Sequence, residues 1–574
     1  MTRSTLFSAI FRAALVVVAA VFVCFALTPR ADAAEDASDS MRDRWFYLSY
    51  NLNDDQGADW VVSIIERAGK VQLNGMLWAS QWDRADEWND AELARFHKIK
   101  SAAEKADVEI IPILWSIGYG TMIGRDPNLA EGARAVTTLG ARNGRAVYEE
   151  ERVVIPNGDM EEWDGAQLLS LNGGFQDRPN VVSFRDQKNA RNGKSALKFE
   201  NYGDDKNGHG RVMWRLDLQP EGVYQASVWM KGKDFKGRAL LQAYSSNGAQ
   251  LSASPVPFKN DKEAQTFDWQ EIKVNFRVPK DGKILLYAGV WDGTEGALWL
   301  DDITLKRNGF TNPLRRAGAP IRVFSEDRQK EYEQGKDWSL PDFKIRPHQK
   351  DVESQSLILP EGSAIRENER LRVEYYFPII IGSSQVSACM SEPEIYEYFK
   401  KSADAVVKLL NPQKWFLSMD EIRCAGTCEA CHARGISLAE ILGDCITRQY
   451  EIIKERSPNA SVYIWSDMLD PNHNCHDNYY SCEGDYSGAW KFVPKDIIVS
   501  CWWYDMREKS MEFFSSQGFK TQGAAYYDTD DLEGCKDWLV TCKKTPGCVG
   551  IMYTTWQKKY DLMEGFGELV QPKE

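Results

Sequence analysis

Two adjacent acidic residues, Asp420 and Glu421, are the clearest candidates for chemistry in this sequence. They directly follow the apolar run 415–419, which is typical of a short strand buried in a parallel sheet. Acids at the carboxyl end of a strand in a closed barrel lie where such barrels carry out catalysis. The position of the pair therefore predicts a catalytic site. The alternative is two solvated acids at the start of a loop.

Aromatic residues end three later strand-like runs, at 465–467, 502–505 and 553–556. Their faces can stack on the apolar faces of sugar rings, so the combination with acids predicts a sugar pocket. The predicted substrate-binding residues are Trp465, Trp502, Trp503, Tyr504, Tyr527 and Trp556.

Asp467 is predicted as a third catalytic residue because it ends a strand directly after Trp465. A structural or helix-capping role is its alternative. Asp505 and Asp528 are alternative second carboxylates for a two-carboxylate mechanism.

The composition limits the classes of partner. With 574 residues the chain predicts two or three domains, and its 20 tryptophans favour carbohydrate binding. The net charge of -14 argues against nucleic acid or an anionic membrane as the main partner. A glycan or polysaccharide is the predicted substrate.

Residues 1–33 have the pattern of a signal peptide. Arg3 and Arg12 supply positive charge, residues 13–27 are apolar, and Ala31-Asp32-Ala33 fits a cleavage site. A retained membrane anchor is the alternative, but the apolar stretch is short for a spanning helix. The sequence therefore predicts a secreted or periplasmic protein with no membrane partner after signal removal.

The cysteines are concentrated in one half of the chain. Eleven of the twelve lie between Cys389 and Cys548, and disulfides are expected there in an oxidising compartment. Cys424, Cys428 and Cys431 follow the acidic pair, and disulfides fixing that loop are the favoured interpretation. A structural zinc site, completed by Cys475, His473 or His476, is the second alternative. The third is an iron–sulfur site, because the spacing matches that of radical S-adenosylmethionine enzymes. Free structural cysteines are the remaining alternative, in a more reducing compartment.

Strand-like and helical patterns alternate in two separated blocks, with three strands before the gap and five after it. This alternation predicts an α/β fold, a (β/α)8 TIM barrel interrupted after strand 3 by an all-β jelly-roll sandwich. Residues 40–124 would form the first part of the barrel, and residues 391–574 the second part with the catalytic pair. A doubly wound open sheet is the alternative, but no glycine-rich phosphate turn follows the first strand.

The gap has a different pattern. Residues 152–308 contain short alternating segments separated by glycine, asparagine and aspartate turns, which predicts an antiparallel β-sandwich. Residues 309–390 are predicted as a β-rich connector between this sandwich and the barrel.

Four motifs in the sandwich, at 157–163, 192–197, 224–231 and 299–303, resemble a family 4/9-type carbohydrate-binding module. The resemblance implies a structural calcium, for which Glu161 and Asp301 are candidate ligands on hard-oxygen grounds. Trp214, Trp229 and Trp291 are candidate ligand platforms, with a place in the core as the alternative for each. A spacer is the alternative role for the domain.

The barrel segments resemble the glycoside hydrolase family 20 superfamily, the β-N-acetylhexosaminidases, on the Asp420-Glu421 pair and the strand-ending tryptophans. The resemblance implies that Glu421 protonates the leaving oxygen. It also implies that Asp420 holds the substrate's acetamido group, whose oxygen attacks the anomeric carbon. The sequence departs from the family at Phe416-Leu417-Ser418-Met419 and lacks the sugar-binding arginine near residue 51. A two-carboxylate mechanism with Asp467 is therefore the alternative.

These observations predict an exported glycoside hydrolase that cleaves O-glycosidic bonds and needs no cofactor for catalysis. A non-catalytic carbohydrate-binding or surface protein is the first alternative. A metal or redox enzyme built on the cysteine cluster is the second.

Overall fold

A computed structural model describes residues 41–149, 152–257, 263–382 and 384–571. The predicted signal peptide lies outside these residues. Within them, no helix combines the length and the apolar character needed to cross a bilayer.

The first part of the chain alternates strands with helices. Its elements are β1 (Asp43–Ser49), α1 (Asp55–Lys70), β2 (Gly75–Ala79), α2 (Asp90–Lys105) and β3 (Glu109–Leu114). Both helices begin at a polar cap: the Asp54 side chain accepts from an amide of the first turn of α1, and Asn89 and Glu92 form a capping box at α2.

A long insertion follows β3, and the regular elements of its described residues are mainly strands joined by irregular segments. They are β4 (Gly132–Arg142), β5 (Arg145–Val147), β6 (Arg152–Val153), β7 (Trp163–Asp164), β8 (Gln167–Leu168), β9 (Phe175–Gln176), β10 (Ser183–Asp186), β11 (Ala196–Phe199), β12 (Gly210–Asp217), β13 (Val223–Ser245), β14 (Gln250–Pro255), β15 (Gln265–Arg277), β16 (Lys283–Asn308), β17 (Arg322–Ser325), β18 (Glu331–Tyr332), β19 (Leu357–Ile358) and β20 (Arg370–Pro378).

The last part of the chain returns to strands and helices. Its elements are α3 (Pro393–Leu409), β21 (Lys414–Leu417), α4 (Glu429–Ala433), α5 (Leu438–Arg456), β22 (Ser461–Trp465), β23 (Ile498–Cys501), α6 (Arg507–Ser516), β24 (Lys520–Ala524), α7 (Glu533–Lys544), β25 (Cys548–Tyr553) and α8 (Met563–Val570).

Eight strands close into a parallel barrel in the order β1-β2-β3-β21-β22-β23-β24-β25, and β25 pairs with β1. Both faces of these strands are buried, which explains why their sequences are almost continuously apolar. The side chains that fill the interior include Trp45, Leu77, Ile111, Phe416, Tyr463 and Met552.

The predicted fold class, a (β/α)8 TIM barrel interrupted by a jelly-roll sandwich, is wrong. The parallel barrel lacks a complete surrounding ring of α-helices. Between β22 and β23, where every residue is described, the chain forms only two short 3-10 turns, Asp467–Leu469 and Ala489–Phe492. Most strands of the protein belong to antiparallel sheets instead. Residues 470–488 are rich in Asn, Asp, Gly and Ser, which favour turns over helix, and a count of strands does not reveal this.

The segment 470–497 contacts the insertion in place of a helix. The Ser481 hydroxyl donates to the Leu251 carbonyl at 3.1 Å, and Lys280 pairs with Glu483 at 3.3 Å. These bonds attach the edge of the insertion directly to a loop of the barrel.

The insertion contains two main antiparallel sheets. One has nine strands, β6 and β9 to β16, and is built around the long strands β13 and β16. The other has six strands in the order β18-β17-β20-β4-β5-β19. The predicted connector, 309–390, thus shares a sheet with residues 132–147, a stretch that had no predicted domain.

A buried ion cluster joins the two sheets. Glu221 accepts from Arg134 at 2.6 Å and from Arg277 at 2.9 Å, and Arg134 also pairs with Glu374 at 2.8 Å. Arg134 and Glu374 belong to the six-stranded sheet, whereas Arg277 lies in the nine-stranded one. The carboxylate of Glu221 therefore holds cations from both sheets.

We expect Glu221→Ala to lower the free energy of unfolding by about 3 kcal/mol, because it leaves two partly buried arginines without this partner. Urea unfolding followed by circular dichroism measures the loss. Glu295→Ala is the matched control, since it removes an exposed ion pair with Lys236 and should cost less than about 1 kcal/mol. Equal losses in both variants would contradict a linking role for Glu221.

Candidate functional site

A cavity of about 510 Å³ opens at the carboxyl ends of the barrel strands. Six of the predicted site residues line it together: Asp420, Glu421, Trp465, Trp502, Tyr527 and Trp556. They follow β21, β22, β23, β24 and β25, so the parallel pairing of the barrel brings together residues that are far apart in the sequence. Residues after β2 and β3 complete the wall, including Ser80, Asp83, Ser116 and Tyr119.

Glu421 is held from three sides. Its carboxylate pairs with Arg423 at 2.7 Å and accepts a hydrogen bond from the Tyr119 hydroxyl, while its backbone amide donates to Asp467 at 2.9 Å. Its φ of 48° lies in the left-handed region, which is unfavourable for a residue with a side chain. Such a conformation persists only where the surroundings enforce it, as they do here.

The backbone after β3 approaches the acidic pair very closely. A Cβ atom on Gly118 would lie 2.2 Å from the Asp420 carbonyl oxygen and 2.8 Å from that of Glu421, so glycine is required at this position. Gln385, from the end of the insertion, donates to the Gly118 carbonyl at 3.0 Å and to the Glu421 carbonyl at 2.8 Å. The insertion thus helps to fix the acidic pair.

Asp420 has an unusual proton affinity. Burial, together with the nearby charge of Glu421, raises its pKa to about 6. The Ser418 hydroxyl donates to its carboxylate at 3.0 Å. Asp420 therefore retains a proton in mildly acidic solution, where an ordinary aspartate would have lost it.

Asp467 lies behind the wall of the cavity and is fully buried. Its carboxylate accepts from the Glu421 amide and from the Asn474 side chain, both at 2.9 Å, and from the Trp502 indole at 3.4 Å. Burial and the charge of Asp420 raise its pKa to about 8. We therefore interpret Asp467 as a residue that positions Glu421.

Aromatic rings form one side of the cavity. Trp556 lies 6.0 Å from Trp465 and 6.3 Å from Tyr527, measured between ring centroids, and Tyr527 is parallel to Trp502 at 6.3 Å. Trp556 is 42% exposed and Tyr527 is 52% exposed. These two rings offer apolar surface to a ligand that enters from solvent.

Two predicted aromatic residues lie outside the lining. Trp503 contacts the His473 ring at 4.6 Å, and the Tyr504 hydroxyl donates to Asp537. The alternative carboxylates also have other positions: Asp505 is exposed, whereas Asp528 accepts from the Trp556 amide at 2.9 Å and so holds that turn.

Asp83, Arg423 and Tyr119 are among the site residues that were not predicted from the sequence. Asp83 lines the cavity, accepts from the Trp115 amide at 2.8 Å, and has a pKa raised to about 6 by burial. The pair Trp82-Asp83 after β2 repeats the aromatic-then-acidic pattern and could have identified it. Arg423 could have been found from its position two residues after Glu421. Tyr119 carries no comparable pattern.

The predicted disulfides are wrong. All eleven cysteines from Cys389 to Cys548 are described, and all are free thiols. The sulfur atoms of Cys389 and Cys428 are 3.4 Å apart, well beyond the roughly 2.05 Å of a disulfide bond. Nearly all of these thiols are buried, where a free cysteine acts as a small apolar side chain. Spacing in the sequence cannot distinguish that role from a bond.

The residues of the predicted carbohydrate-binding module have structural contacts. Glu161 accepts from the Lys194 amide at 2.6 Å, and Asp301 accepts from the Arg191 amide at 2.7 Å. Calcium binding by these acids stays a prediction. Trp214 is fully buried and donates to a backbone carbonyl, so it is a core residue. The Arg191 guanidinium lies 3.7 Å from the Trp229 ring centroid.

No family model matches the chain, and no curated protein matches it. The structure of TmCBM61 in complex with beta-1,4-galactotriose has 17% identity and a TM-score of 0.21, covering 28% of this chain and 99% of that one. A structure described as "CBM4 structure and function" has 18% identity and a TM-score of 0.21, covering 27% and 100%. The Stig cyclase Fisc from Fischerella sp. TAU has 15% identity and a TM-score of 0.22, covering 28% and 99%.

Similarities this weak, to proteins of such different description, do not identify the function of this chain. They also give no support to the family 20 relationship.

We expect the stability of the protein to decrease as the pH rises from about 4 to about 7, in part because of Asp420. Its folded pKa of about 6 lies above the ordinary value of 3.8, so the folded state binds the proton more tightly and loses that advantage as the proton dissociates. Asp420→Asn should reduce the decrease by about 2 kcal/mol, measured by urea unfolding at each pH. Asp505→Asn, at an exposed position, is the control. Parallel pH curves for wild type and Asp420→Asn would contradict the assignment.

Proposed function

We propose that the cavity at the end of the barrel binds one sugar unit of a glycan and that the Asp420–Glu421 pair cleaves the glycosidic bond beside it. The observation that carries the proposal is the placement of a half-buried acid with a raised pKa next to an ion-paired carboxylate, in a cavity with aromatic walls.

The binding step is supported by the size and chemistry of the cavity. Its volume is in the range of small-molecule sites, and its lining combines apolar ring faces with a few polar groups. Ring faces pack against the C–H groups of a sugar, while Ser80, Ser116 and Tyr119 supply hydroxyls for its oxygen atoms. This combination suits an uncharged, polyhydroxylated ligand.

The cleavage step is supported by the different environments of the two acids. A pKa of about 6 makes Asp420 suitable for delivering a proton to the glycosidic oxygen as the C–O bond breaks. Glu421, paired with Arg423, supplies the carboxylate that stabilises the positive charge on the anomeric carbon or activates water. This differs from the family 20 resemblance, which implies that Glu421 is the acid and that Asp420 holds the acetamido group.

Tyr119 supports the same division of roles. Tyr119 is partly exposed, but desolvation of its hydroxyl in the cavity and the charges of Glu421 and Asp420 raise its pKa, so the hydroxyl keeps its proton and donates to the Glu421 carboxylate. With Arg423 on the other side, Glu421 has a donor at each of its two oxygens.

A protein that binds glycan without cleaving it is the second candidate. The same aromatic wall supports binding, and the two candidates differ only in whether the acids act on the bound sugar. Carbohydrate binding by the insertion and export of the protein both stay predictions.

We expect Asp420→Asn to lower turnover of aryl glycosides with poor leaving groups by about 10²- to 10⁴-fold, because proton delivery to the leaving oxygen is lost. Dinitrophenolate leaves without being protonated, so Asp420→Asn should cleave dinitrophenyl glycosides nearly as fast as wild type does. Glu421→Gln should lose activity toward both the aryl glycosides with poor leaving groups and the dinitrophenyl glycosides. The screen uses glucosides, galactosides, xylosides and N-acetylhexosaminides.

The control for this screen is Asp505→Asn, which should match wild type. If Asp420→Asn loses activity toward both kinds of substrate while Glu421→Gln still cleaves dinitrophenyl glycosides, the acid role belongs to Glu421. Binding without turnover of any glycoside would favour the non-catalytic candidate.

We expect Trp556→Ala to weaken the binding of an oligosaccharide ligand of the wild type about tenfold, or by about 1.4 kcal/mol, because it removes an exposed ring face from the cavity wall. Calorimetric titration with cello-, xylo-, galacto- and chito-oligosaccharides measures the change. Tyr504→Ala is the matched control, an exposed aromatic residue at a neighbouring strand end but outside the lining. Equal weakening in both variants would show that the binding surface extends beyond this cavity.

A further inference from the structure

A second cluster of reactive side chains lies apart from the candidate active site. Glu131, Cys389, Cys428 and Cys431 are all buried, and one potential ligand atom from each lies within 4.8 Å of the others. Glu131 directly precedes β4, where the insertion begins, and Cys389 lies where the chain returns to the barrel. Cys428 and Cys431 belong to the loop and short helix α4 that follow the acidic pair.

The sulfur positions fit a tetrahedral metal site. Cys389 is 3.4 Å from Cys428 and 3.8 Å from Cys431, measured between sulfur atoms. Zinc–sulfur bonds of about 2.3 Å at tetrahedral angles place two sulfurs about 3.8 Å apart. Cys428 and Cys431 also have the two-residue spacing that recurs in structural zinc sites.

The fourth group is a carboxylate with a fixed orientation. One oxygen of Glu131 accepts from the Thr427 amide and hydroxyl, both at 2.9 Å, and from the Cys428 amide at 3.0 Å. Its other oxygen lies 3.7 Å from the Cys431 sulfur. The bonds to Thr427 and Cys428 leave that second oxygen directed at the thiols, as outer contacts orient metal ligands in known sites.

A fully buried carboxylate requires compensation. The hydrogen bonds from Thr427 and Cys428 satisfy one oxygen of Glu131, and the other oxygen faces the Cys431 sulfur, where a bound cation would compensate it. Arg316 is nearby but pairs with Glu392 and donates to the Ala130 carbonyl at 3.0 Å. Its charge would offset part of the negative charge that three thiolates and a carboxylate bring to a divalent ion.

We propose that Glu131, Cys389, Cys428 and Cys431 bind one Zn²⁺ ion in a closed tetrahedral site. Four protein ligands and full burial leave no position for substrate, so the ion has a structural role. It ties together the start of β4, the segment that leads back to α3, and the loop that begins with Asp420 and Glu421. This ligand set differs from the predicted one, because Cys424, Cys475, His473 and His476 do not belong to the group.

The test is to measure the metal content of the tag-free full-length protein by inductively coupled plasma mass spectrometry. We expect about one zinc per chain in wild type and less than about 0.1 in Cys428→Ser and Cys389→Ser. Cys424→Ser and Cys542→Ser, which alter buried thiols outside the group, should keep the zinc.

A second measurement does not depend on how the variants fold. Wild-type protein prepared with Co²⁺ should show sulfur-to-cobalt charge-transfer absorption and the intense visible bands of a tetrahedral site. Absence of metal from wild type, iron in place of zinc, or a disulfide between Cys389 and Cys428 in peptide mapping would each overturn the proposal. Loss of zinc in Cys424→Ser but not in Cys389→Ser would overturn the ligand set. None of these measurements depends on glycoside turnover, so the outcome is independent of the proposed activity.

Discussion

The hydrogen bond from the Glu421 amide to the buried Asp467 carboxylate is the constraint on which the site depends. It holds Glu421 in a left-handed conformation that its side chain disfavours, and it links the ends of β21 and β22. The carboxylate can make this bond at such depth because the Asn474 amide and the Trp502 indole also donate to it. With Glu421 fixed, the adjacent Asp420 is directed into the cavity, where burial alters its proton affinity.

The insertion is part of this arrangement and not merely attached to the barrel. Gln385, at its end, binds the carbonyls of Gly118 and Glu421 and also contacts Arg423, the cation that pairs with Glu421. The segments that follow β3 and β21 are therefore joined through a side chain from outside the barrel. A substitution in the insertion can thus alter the acids without lying near a ligand.

The sequence was informative where chemistry and local pattern coincide. An acidic pair after a short apolar run, and tryptophans at the ends of later runs, indicated residues that the structure brings together in one cavity, because parallel strands bring their carboxyl ends to one edge. The sequence did not reveal that Asp467 is buried behind that cavity, since depth depends on side chains from other strands. It also led to the wrong fold class at residues 470–488, and to disulfides where the thiols are free. In both cases the decisive fact is a long-range contact, which spacing along the chain does not encode.

The contacts between the barrel loop 470–497 and the nine-stranded sheet affect how the two parts would act on a long ligand. Ser481 and Glu483 attach the loop to the sheet at two points, and the ion cluster at Glu221 stiffens the insertion behind it. A domain on a flexible linker samples many positions relative to its partner. An insertion attached at several points keeps a constant distance and orientation relative to the barrel. Any polymer held by both parts would have to match that distance and orientation, so chain geometry, and not only the type of sugar, would select the ligand.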